Sequence, residues 1–319
     1  MMMRPPIVPI LPIHSRHVET QSKILLAALL LVLAAPLQSA DKLVAVLEAR
    51  PGAEAAPPAP VLFWQEVRKD PRALHIYCLR ADLTAKELEA AVLIAAAPDG
   101  PGPATAVLEK PAVLAARPGV VAAVNANFFK DLPPPGGEKP GRPYHYAGRP
   151  VNICGWAKDG TREASPPQAG YPSFWTDASG RGCVGTPAAP AEASMAVSGY
   201  KELVRDGKTL IADAQPLHPR TALGLDAAGK TLWLVVVDGR QAGYSEGMSL
   251  GELATLLKDL GCWSALNLDG GGSAIMLVAA HSEKLEVVNR PSDASTRPIP
   301  VMLAIRAKLA ADEHKGGDK

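Results

Sequence analysis

A β-hairpin is the clearest structural prediction from the pattern of apolar and polar positions along the chain. Two apolar runs, separated by the turn sequence Asp-Ala-Ala-Gly-Lys, predict strands at residues 221–225 and 231–237. If Asp226 faces Thr231 across this hairpin, counting along both strands places Arg220 opposite Val237 and beside Asp238. The pattern therefore predicts an arginine and a carboxylate at the same edge of a sheet.

A short amphipathic helix is predicted after the hairpin. Ser249 is a suitable N-cap, and Glu252 completes a capping box three residues later. Met248 and Leu253 are spaced to form a hydrophobic staple across this first turn. One apolar helix face is predicted from the leucines at positions 250, 253, 256, 257 and 260. Gly261 is a typical residue for ending such a helix.

A further strand at residues 265–268 ends at Asp269, so this segment predicts a strand, a helix and a second strand. Such a unit is expected to form a right-handed crossover between parallel strands, which brings the ends of both strands to one sheet edge. Asp238 and Asp269 are thus predicted to leave the sheet at the same edge, with Arg220 beside them. Ligands of open α/β sheets bind at edges of this kind.

The rest of the chain predicts a mixed fold with long connections. The patterns favour an opening strand pair at residues 61–79, a short helix beginning at residues 84–88, a buried strand at residues 120–124 and a long loop at residues 131–150. We therefore predict an α+β (mixed α/β) fold in a single domain. Its sheet is mixed and largely antiparallel, with at least one βαβ crossover and long loops around a surface cavity.

The N-terminus has the features of an export signal. Lys23 precedes a 14-residue apolar run at residues 24–37, which is short for a membrane span and typical of a signal-peptide core. The small residues Ser39 and Ala40 follow this run. We predict a signal peptide at residues 1–40, with a long n-region that a start codon placed too far upstream would explain. An uncleaved membrane anchor is the alternative.

The predicted organisation after the signal is a linker, one globular domain and a tail. The linker covers residues 41–61, the domain covers residues 62–308, and the charged, glycine-containing tail at residues 309–319 is expected to be disordered. The mature protein is expected to be exported to the periplasm or secreted, with no stable membrane insertion after signal cleavage.

Composition and cysteine spacing limit the partners and the metal sites that we predict for this chain. The net charge is +1 and aromatic residues are 5% of the chain, which disfavours both an electrostatic surface for nucleic acid and a base-stacking platform. The four cysteines, Cys78, Cys154, Cys183 and Cys262, have no zinc-site spacing. In an oxidising compartment, Cys154 with Cys183 is the favoured disulfide, and buried free thiols are the alternative.

Candidate chemistry is concentrated around three consecutive glycines that follow Asp269. Asp269 and Asp238 are the catalytic candidates, since carboxylates act as nucleophiles, bases or stabilisers of a sugar cation. Arg220 and Arg240 offer bidentate donors to phosphate, and we assign Arg220 to that role. Substrate contacts are also predicted for Gly270, Gly271, Gly272, Asn127, Asn267, Ser273 and His218. The plainer alternative is a tight turn between two strands.

Six blocks of sequence follow one another in a characteristic order. They are Val-Asn-Ala-Asn-Phe-Phe (124–129), His-Pro-Arg-Thr-Ala-Leu-Gly (218–224), Val-Val-Asp-Gly-Arg (236–240), Tyr-Ser-Glu-Gly-Met-Ser (244–249), Ala-Leu-Asn-Leu-Asp-Gly-Gly-Gly-Ser (265–273) and Arg-Pro-Ser-Asp-Ala-Ser-Thr-Arg-Pro-Ile-Pro (290–300). In sequence and order they resemble the signature blocks of the phosphodiester glycosidases, the family that includes N-acetylglucosamine-1-phosphodiester alpha-N-acetylglucosaminidase. The resemblance covers roughly residues 62–307. Ala294 is a departure, because the family often has glycine there.

The resemblance implies a hydrolase with a surface cavity that these motifs line. Such an enzyme cleaves a sugar-1-phosphodiester at the glycosidic bond, releasing free sugar and a phosphomonoester. We predict no cofactor for this chain, with Mg²⁺ or Ca²⁺ as the alternative. The implied partner is a glycan or sugar-phosphate substrate. The block at residues 244–249 also adds Ser245 to the substrate-binding candidates.

Two other functions fit the same residues. One is metal-dependent P–O cleavage, with Asp238, Asp269 and Asn127 as oxygen ligands to Mg²⁺ or Ca²⁺. The other is a non-catalytic module that binds cell-wall glycans. Chelator sensitivity would indicate the first, and tight binding without turnover would indicate the second.

Overall fold

The computed structural model describes residues 47–48, 59–100, 102–133, 137, 141, 143–186, 193–279 and 284–308 of the 319-residue chain. The predicted signal peptide at residues 1–40, most of the linker and the tail at residues 309–319 lie outside these residues. None of the helices in the described part is long and apolar enough to cross a membrane.

In the described part of the chain, strands are far more numerous than helices. The strands are β1 (Leu47–Glu48), β2 (Val61–Arg68), β3 (Leu74–Asp82), β4 (Leu88–Ile94), β5 (Ala106–Val107), β6 (Val120–Asn125), β7 (Phe129–Asp131), β8 (Pro150–Ile153), β9 (Ala157–Lys158), β10 (Glu163–Ser165), β11 (Ser173–Thr176), β12 (Gly182–Gly185), β13 (Met195–Ser198), β14 (Lys201–Arg205), β15 (Lys208–Thr209), β16 (Arg220–Leu225), β17 (Thr231–Val237), β18 (Ser264–Asn267), β19 (Met276–Ala279), β20 (Leu285–Val287) and β21 (Val301–Ala307). The α-helices are α1 (Pro111–Ala115) and α2 (Leu250–Asp259), and a 3₁₀ turn covers Gly271–Ser273.

Two sheets contain most of the strands. The larger has the order β1-β2-β3-β17-β16-β18-β14-β15, and the second has the order β20-β19-β6-β21-β4. Smaller sheets are formed by β10-β9-β13-β11-β12 and by β5-β8-β7. Apart from the parallel pair of β1 and β2, the recorded pairings in the two large sheets are antiparallel. The mixed α+β class is therefore confirmed in its coarse form.

The main core lies between the two large sheets, and a helix covers the outer face of each. Leu223, Leu234 and Leu266 of the first sheet share a core cluster with Val124 and Leu303 of the second. On the opposite faces, leucines of α2 pack against the first sheet and Leu114 of α1 packs against the second. Because both faces of the central strands are buried, their sequences are nearly continuous apolar runs.

The predicted hairpin is confirmed with its register. Strands β16 and β17 pair antiparallel, Arg220 lies opposite Val237, and the Asp226 N–H donates to the Thr231 carbonyl at 3.2 Å. The Asp226 side chain also accepts hydrogen bonds from the backbone N–H groups of Lys230 and Thr231, which closes the turn.

The predicted caps of α2 are confirmed as well. The Ser249 hydroxyl accepts from the Glu252 N–H at 3.1 Å, and the Glu252 carboxylate accepts from the Ser249 N–H at 2.9 Å. After the helix, Gly261 has a φ of 91°, a left-handed conformation that glycine adopts without a steric penalty.

One local prediction needs correction. No helix begins at residues 84–88, because the Asp82 carboxylate accepts from the Thr84 N–H and hydroxyl and so favours a turn before β4. The strands β17 and β18, which α2 joins, run in the same direction, and β16 lies between them and pairs antiparallel with both. The handedness of their connection stays a prediction.

All four cysteines are free thiols in the structure. The favoured disulfide between Cys154 and Cys183 is therefore absent. Cys154 is buried and Cys183 lies on β12 at an intermediate depth. Cys78 and Cys262 belong instead to the apolar cluster beneath α2, where burial raises the pKa of both thiols to about 12.

Candidate active site

Three strand ends of the large sheet meet at one edge. Arg220 begins β16 opposite the last residue of β17, and Asp238 follows that residue. On the other side of β16, Ala222 pairs with Asn267 at the end of β18, so Asp269 comes level with Arg220. The prediction that Asp238 and Asp269 leave the sheet at the same edge is therefore confirmed.

Asn125, at the end of β6, joins the second sheet to this edge. Its Nδ2 donates to the Asp269 carbonyl at 2.5 Å. Its Oδ1 accepts from the Thr221 hydroxyl at 2.7 Å and from the Ile275 N–H at 3.1 Å. Because one buried amide satisfies groups from three segments, it fixes the backbone of Asp269 at the junction of the two sheets.

The environment of Asp269 favours a proton on its carboxyl group. Burial raises the pKa of Asp269 to about 6, although the Ser273 hydroxyl, the Arg297 charge and the Gly270 N–H all act to lower it. The Gly270 N–H donates to Asp269 Oδ1 at 2.9 Å. A carboxyl group with this pKa exchanges its proton near neutral pH, as acid–base catalysts do.

The glycine triplet allows three close approaches that a side chain would block. A Cβ at Gly270 would lie 2.6 Å from the Pro219 carbonyl oxygen, and one at Gly271 would lie 3.1 Å from Arg240 Nη1. At Gly272 a Cβ would overlap the Arg297–Asp293 ion pair. The N–H groups of Gly270 and Gly271 already bind Asp269 and Pro219. These two amides therefore do not form an open anion cradle.

Four arginines lie near the triplet or near Asp238, and they differ in their partners. Arg297 pairs with Asp293 at 2.8 Å. Arg240 is exposed, has a φ of 59° that is unusual for a residue other than glycine, and contacts His218 Nδ1 at 3.4 Å. Arg290 lies over the Tyr244 ring at 4.9 Å. Among the described residues, no carboxylate lies within ion-pair distance of Arg240, Arg290 or Arg220.

Arg220 is held by backbone carbonyls. Its Nε donates to Met248 O at 2.8 Å and its Nη2 donates to Pro216 O at 2.9 Å. Two of its nitrogens thus stabilise the loops that flank β16. Its assignment to phosphate stays a prediction, and Arg240 is the more open of the two guanidinium groups.

The Asp238 carboxylate is fully enclosed by hydrogen-bond donors. It is 1% exposed and accepts from Asn289 Nδ2 at 2.8 Å, from the Arg290 N–H at 2.9 Å and from the Tyr244 hydroxyl at 3.2 Å. Burial raises the pKa of Asp238, while these three donors act to lower it. The geometry favours a role in anchoring the segment at residues 289–290 to the sheet.

We expect Asp238→Asn to destabilise the fold by about 1–3 kcal/mol, because an NH₂ group would face donors where an oxygen now accepts. Urea unfolding at pH 7.5 measures this loss. Asp226→Asn, the same change at the opposite end of the hairpin, is the matched control. Unchanged stability in Asp238→Asn with a large loss of turnover would instead return Asp238 to the catalytic group.

Ser245 and His218 also take part in local structure. The Ser245 hydroxyl donates to Asp238 O at 2.6 Å and accepts from the His75 N–H at 3.0 Å, so both of its functions are in use. His218 exchanges backbone hydrogen bonds with Met248. Burial, followed by the charges of Arg240 and Arg220, lowers the pKa of His218. A neutral imidazole is therefore expected beside Arg240 at pH 7.

Two of the predicted substrate contacts have buried acceptor atoms without a hydrogen-bond partner, Asn127 Oδ1 and Asn267 Oδ1. Their residues are only 2% and 3% exposed. Unsatisfied buried acceptors are uncommon in folded proteins and cost free energy, so their concentration beside Asp269 is evidence for a ligand site.

The sequence prediction missed several residues that the structure brings to this site. They are Asn125, Asn289, Arg290, Asp293 and Arg297, together with a pair from the loop at residues 131–150 formed by His145 Nε2 and Asp131 Oδ2 at 3.4 Å. Burial, and then the charge of Arg297, lowers the pKa of His145. The charged residues between prolines at positions 290–300 were the available signal.

The proposed oxygen ligands for a cation differ in their availability. Asp238 has both carboxylate oxygens bound to donors, whereas Asn127 Oδ1 has no hydrogen-bond partner. A shared metal site stays an alternative prediction. Within the described ranges, no group of three or more His, Cys, Asp or Glu side chains is arranged to hold a metal ion.

Two cavities of the described structure have linings that do not include Arg220, Asp238 or Asp269. One of about 450 Å³ is next to α2 and is lined by residues that include Arg72, Ile211 and Glu252. Another of about 390 Å³ lies near Arg181 and Lys230, at the opposite end of the hairpin. A surface cavity lined by Arg220, Asp238 and Asp269 stays a prediction.

Comparison with known proteins identifies the relatives of this chain. Residues 118–306 match the phosphodiester glycosidase family model, which is more than half of the sequence. The fold is similar to the catalytic domain of zebrafish N-acetylglucosamine-1-phosphodiester alpha-N-acetylglucosaminidase auto-inhibited by its pro-peptide. That match has a TM-score of 0.56 and 22% identity, and it covers 78% of this chain and 83% of the zebrafish chain.

Two further matches come from bacteria. One is a protein of Burkholderia pseudomallei K96243 to which export has been ascribed. Its structure matches this chain with a TM-score of 0.50 and 18% identity, and the match covers 73% of this chain and 74% of the Burkholderia chain. An uncharacterized SPbeta prophage-derived protein of Bacillus subtilis (strain 168) is 35% identical over 109 residues. That alignment covers 32% of this chain and only 16% of the prophage protein.

Proposed function

Because the chain belongs to the phosphodiester glycosidase family, we propose that it hydrolyses a sugar-1-phosphodiester at the glycosidic bond. The products are free sugar and a phosphomonoester. Family membership supports the general class, a hydrolase that acts on phosphodiesters. The sheet edge at Asp269 supports the more specific reaction.

One observation carries the proposal: a carboxyl group with a raised pKa and arginines without carboxylate partners meet at the same glycine triplet. Asp269 precedes Gly270, and Arg240 lies directly over Gly271. A phosphodiester requires positive charge for its phosphate and a carboxylate near the anomeric carbon. The two requirements are thus met within one short turn.

In the proposed reaction the bond between the anomeric carbon and the phosphate oxygen breaks, and the phosphate leaves with the bonding electrons. Water supplies the new hydroxyl group of the sugar. Since a phosphomonoester is already a good leaving group, protonation of the leaving oxygen is less important than neutralising its charge. Arg240 takes that task, and ionised Asp269 stabilises the sugar cation or accepts the proton of water.

The pH profile tests the role of Asp269. The carboxylate is the active form in this proposal, and burial raises the pKa of Asp269 to about 6. We therefore expect kcat to increase as the pH rises through about 6 and then to level off. A rate that falls as the pH rises through this range would assign Asp269 to acid catalysis.

Product analysis in ¹⁸O-labelled water tests the reaction itself. Cleavage of the C–O bond places the label in the sugar and leaves the phosphomonoester unlabelled. Cleavage of a P–O bond places the label in the phosphate group instead. The product is a labelled sugar phosphate if the bond to the aglycone oxygen breaks, and unlabelled sugar with a labelled phosphomonoester if the bond to the sugar oxygen breaks. In either case a chelator arm then tests for a metal requirement. No turnover across a panel of sugar-1-phosphodiesters, with tight binding of a glycan, would support a binding module instead.

Export is part of the proposal. Its support is the 14-residue apolar run at residues 24–37 and the fold shared with a bacterial protein to which export has been ascribed. We expect the exported protein to begin near Asp41, as N-terminal sequencing of material from outside the cytoplasm measures. Exported material that retains residues 1–23 would contradict cleavage.

A further inference from the structure

Three aromatic side chains cluster beside the site, on segments that the mechanism above does not use. The rings of Phe128 and Tyr200 lie 6.1 Å apart in an edge-on arrangement, and those of Tyr171 and Tyr200 are also 6.1 Å apart. Tyr200 is 51% exposed, which is unusual for an aromatic side chain with two ring neighbours. The Lys201 ammonium lies 5.2 Å from the Tyr200 ring centroid.

Backbone contacts connect this aromatic cluster to Asp269. The Tyr200 N–H donates to the Asn267 carbonyl at 3.0 Å, two residues before Asp269. Gly199 allows that approach, because a Cβ there would overlap the same carbonyl. The Asp269 N–H donates to the carbonyl of Ala126, two residues before Phe128. Phe128 and Tyr200 therefore lie on the two segments that hold the catalytic candidate.

Unsatisfied acceptors lie on the same two segments. Asn127 directly precedes Phe128, and its Nδ2 donates to the carbonyls of Cys154 and Trp156 at 3.0 Å each. These bonds fix the orientation of the amide, so that Oδ1 is the atom left without a donor. Asn267 Oδ1 lacks a donor as well. An apolar ligand would leave both oxygens unsatisfied, whereas a polyhydroxylated ligand carries the donors that they need.

We propose that Phe128, Tyr171 and Tyr200, with Asn127 and Asn267, form the subsite that binds the sugar ring of the substrate. This inference rests on the proposed function and divides the site into two halves. The arginine side, with Arg240 over Gly271, binds phosphate. The aromatic side binds the sugar, and Asp269 lies between them at the bond to be cleaved.

The chemistry of a pyranose suits this arrangement. Its C–H faces are apolar and pack against an aromatic ring, while the hydroxyl groups around its rim donate hydrogen bonds. Asn127 Oδ1 and Asn267 Oδ1 are shielded from solvent, so binding of a sugar hydroxyl group to them requires neighbouring side chains to move.

Tyr200→Ala tests the subsite by removing the exposed ring. We expect about tenfold weaker binding of free sugar and a similar rise in KM, since loss of one stacking contact costs about 1.4 kcal/mol. Binding is measured without turnover, by ligand-observed NMR with glucose, galactose, mannose and N-acetylglucosamine. Tyr200→Phe keeps the ring and is expected to bind nearly as wild type. Trp263→Ala removes another exposed ring, next to Gly207, and is the matched control.

The outcomes separate the subsite from the proposed reaction. Wild-type sugar binding in folded Tyr200→Ala overturns the subsite, even if the wild-type enzyme hydrolyses sugar phosphodiesters. Sugar binding that depends on Tyr200, in a protein that cleaves no diester, supports the subsite and contradicts the reaction. If Tyr200→Ala is no longer inhibited by the phosphomonoester product but is still inhibited by free sugar, the ring binds the phosphate half of the substrate. That result would overturn the assignment.

Discussion

Asp269→Asn is expected to reduce kcat on a sugar-1-phosphodiester by at least ~10²-fold while the protein stays folded. Asparagine keeps the size of the side chain and can still accept the hydrogen bond that the Gly270 N–H donates at 2.9 Å. It cannot carry the negative charge that the sugar cation or the attacking water requires. The loss should therefore appear in kcat more than in KM.

The same substitution should stabilise the protein above pH 6. Burial raises the pKa of Asp269 to about 6, so the folded state binds a proton that the unfolded chain releases near pH 4. The stabilisation from this proton is complete below about pH 4 and is lost as the pH rises through about 6, at a cost of up to about 3 kcal/mol. Asparagine has no proton to lose and avoids that cost.

Urea unfolding and kinetics on the same samples, at pH 4.5 and pH 7.5, measure both effects. We expect the stability gain of Asp269→Asn at pH 7.5 to shrink at pH 4.5. Asp226→Asn, in the turn at the other end of the same hairpin, should leave turnover unchanged. Near-wild-type turnover in folded Asp269→Asn would remove this residue from the mechanism.

Arg240→Gln is expected to reduce kcat/KM for phosphodiester substrates by about 10- to 100-fold, the scale of a charge-assisted hydrogen bond to phosphate. The expectation follows from its position over Gly271 and from the lack of a carboxylate partner among the residues that the structure describes. Turnover of an aryl glycoside without phosphate should be affected far less.

Arg220→Lys is the informative comparison for the arginine side. Lysine keeps the charge but lacks the fork that binds Met248 O and Pro216 O together. If these carbonyls are the main partners of Arg220, the variant loses stability and keeps its activity per folded molecule. If Arg220 binds phosphate, as its place in the hairpin predicts, the variant loses activity on diesters alone.

An equal effect of Arg240→Gln on diesters and aryl glycosides would contradict the phosphate role of Arg240.

The local sequence pattern was sufficient to predict the hairpin of β16 and β17 and the helix α2. The register that pairs Arg220 with Val237 follows from the Asp226 turn, because turn length fixes which residues face each other. The capping box of Ser249 and Glu252 likewise depends only on residues three positions apart. These interactions are formed within a short stretch of chain, so the sequence carries them without reference to distant segments.

The sequence pattern gave a wrong prediction where a local hydrogen bond was stronger than the helix propensity of the residues. The segment after Asp82 has helix-forming residues, but the Asp82 carboxylate binds Thr84 and ends the preceding strand in a turn. The pattern made no prediction of the order of strands, in which β16 separates β17 from β18 although β17 and β18 are joined through α2. Neighbour relations in a sheet depend on which faces are buried, and several orders satisfy the same apolar pattern.

By itself, the sequence determined which residues reach the functional edge along the chain: Arg220, Asp238 and Asp269, each at the end of a strand. Only the tertiary structure decided how these groups differ. The segment at residues 289–290 folds back to enclose Asp238, while Asp269 keeps a pKa near 6 beside Arg297. The physical reason is that burial and charge pairing depend on segments far apart in sequence, and they decide which carboxyl group can exchange a proton.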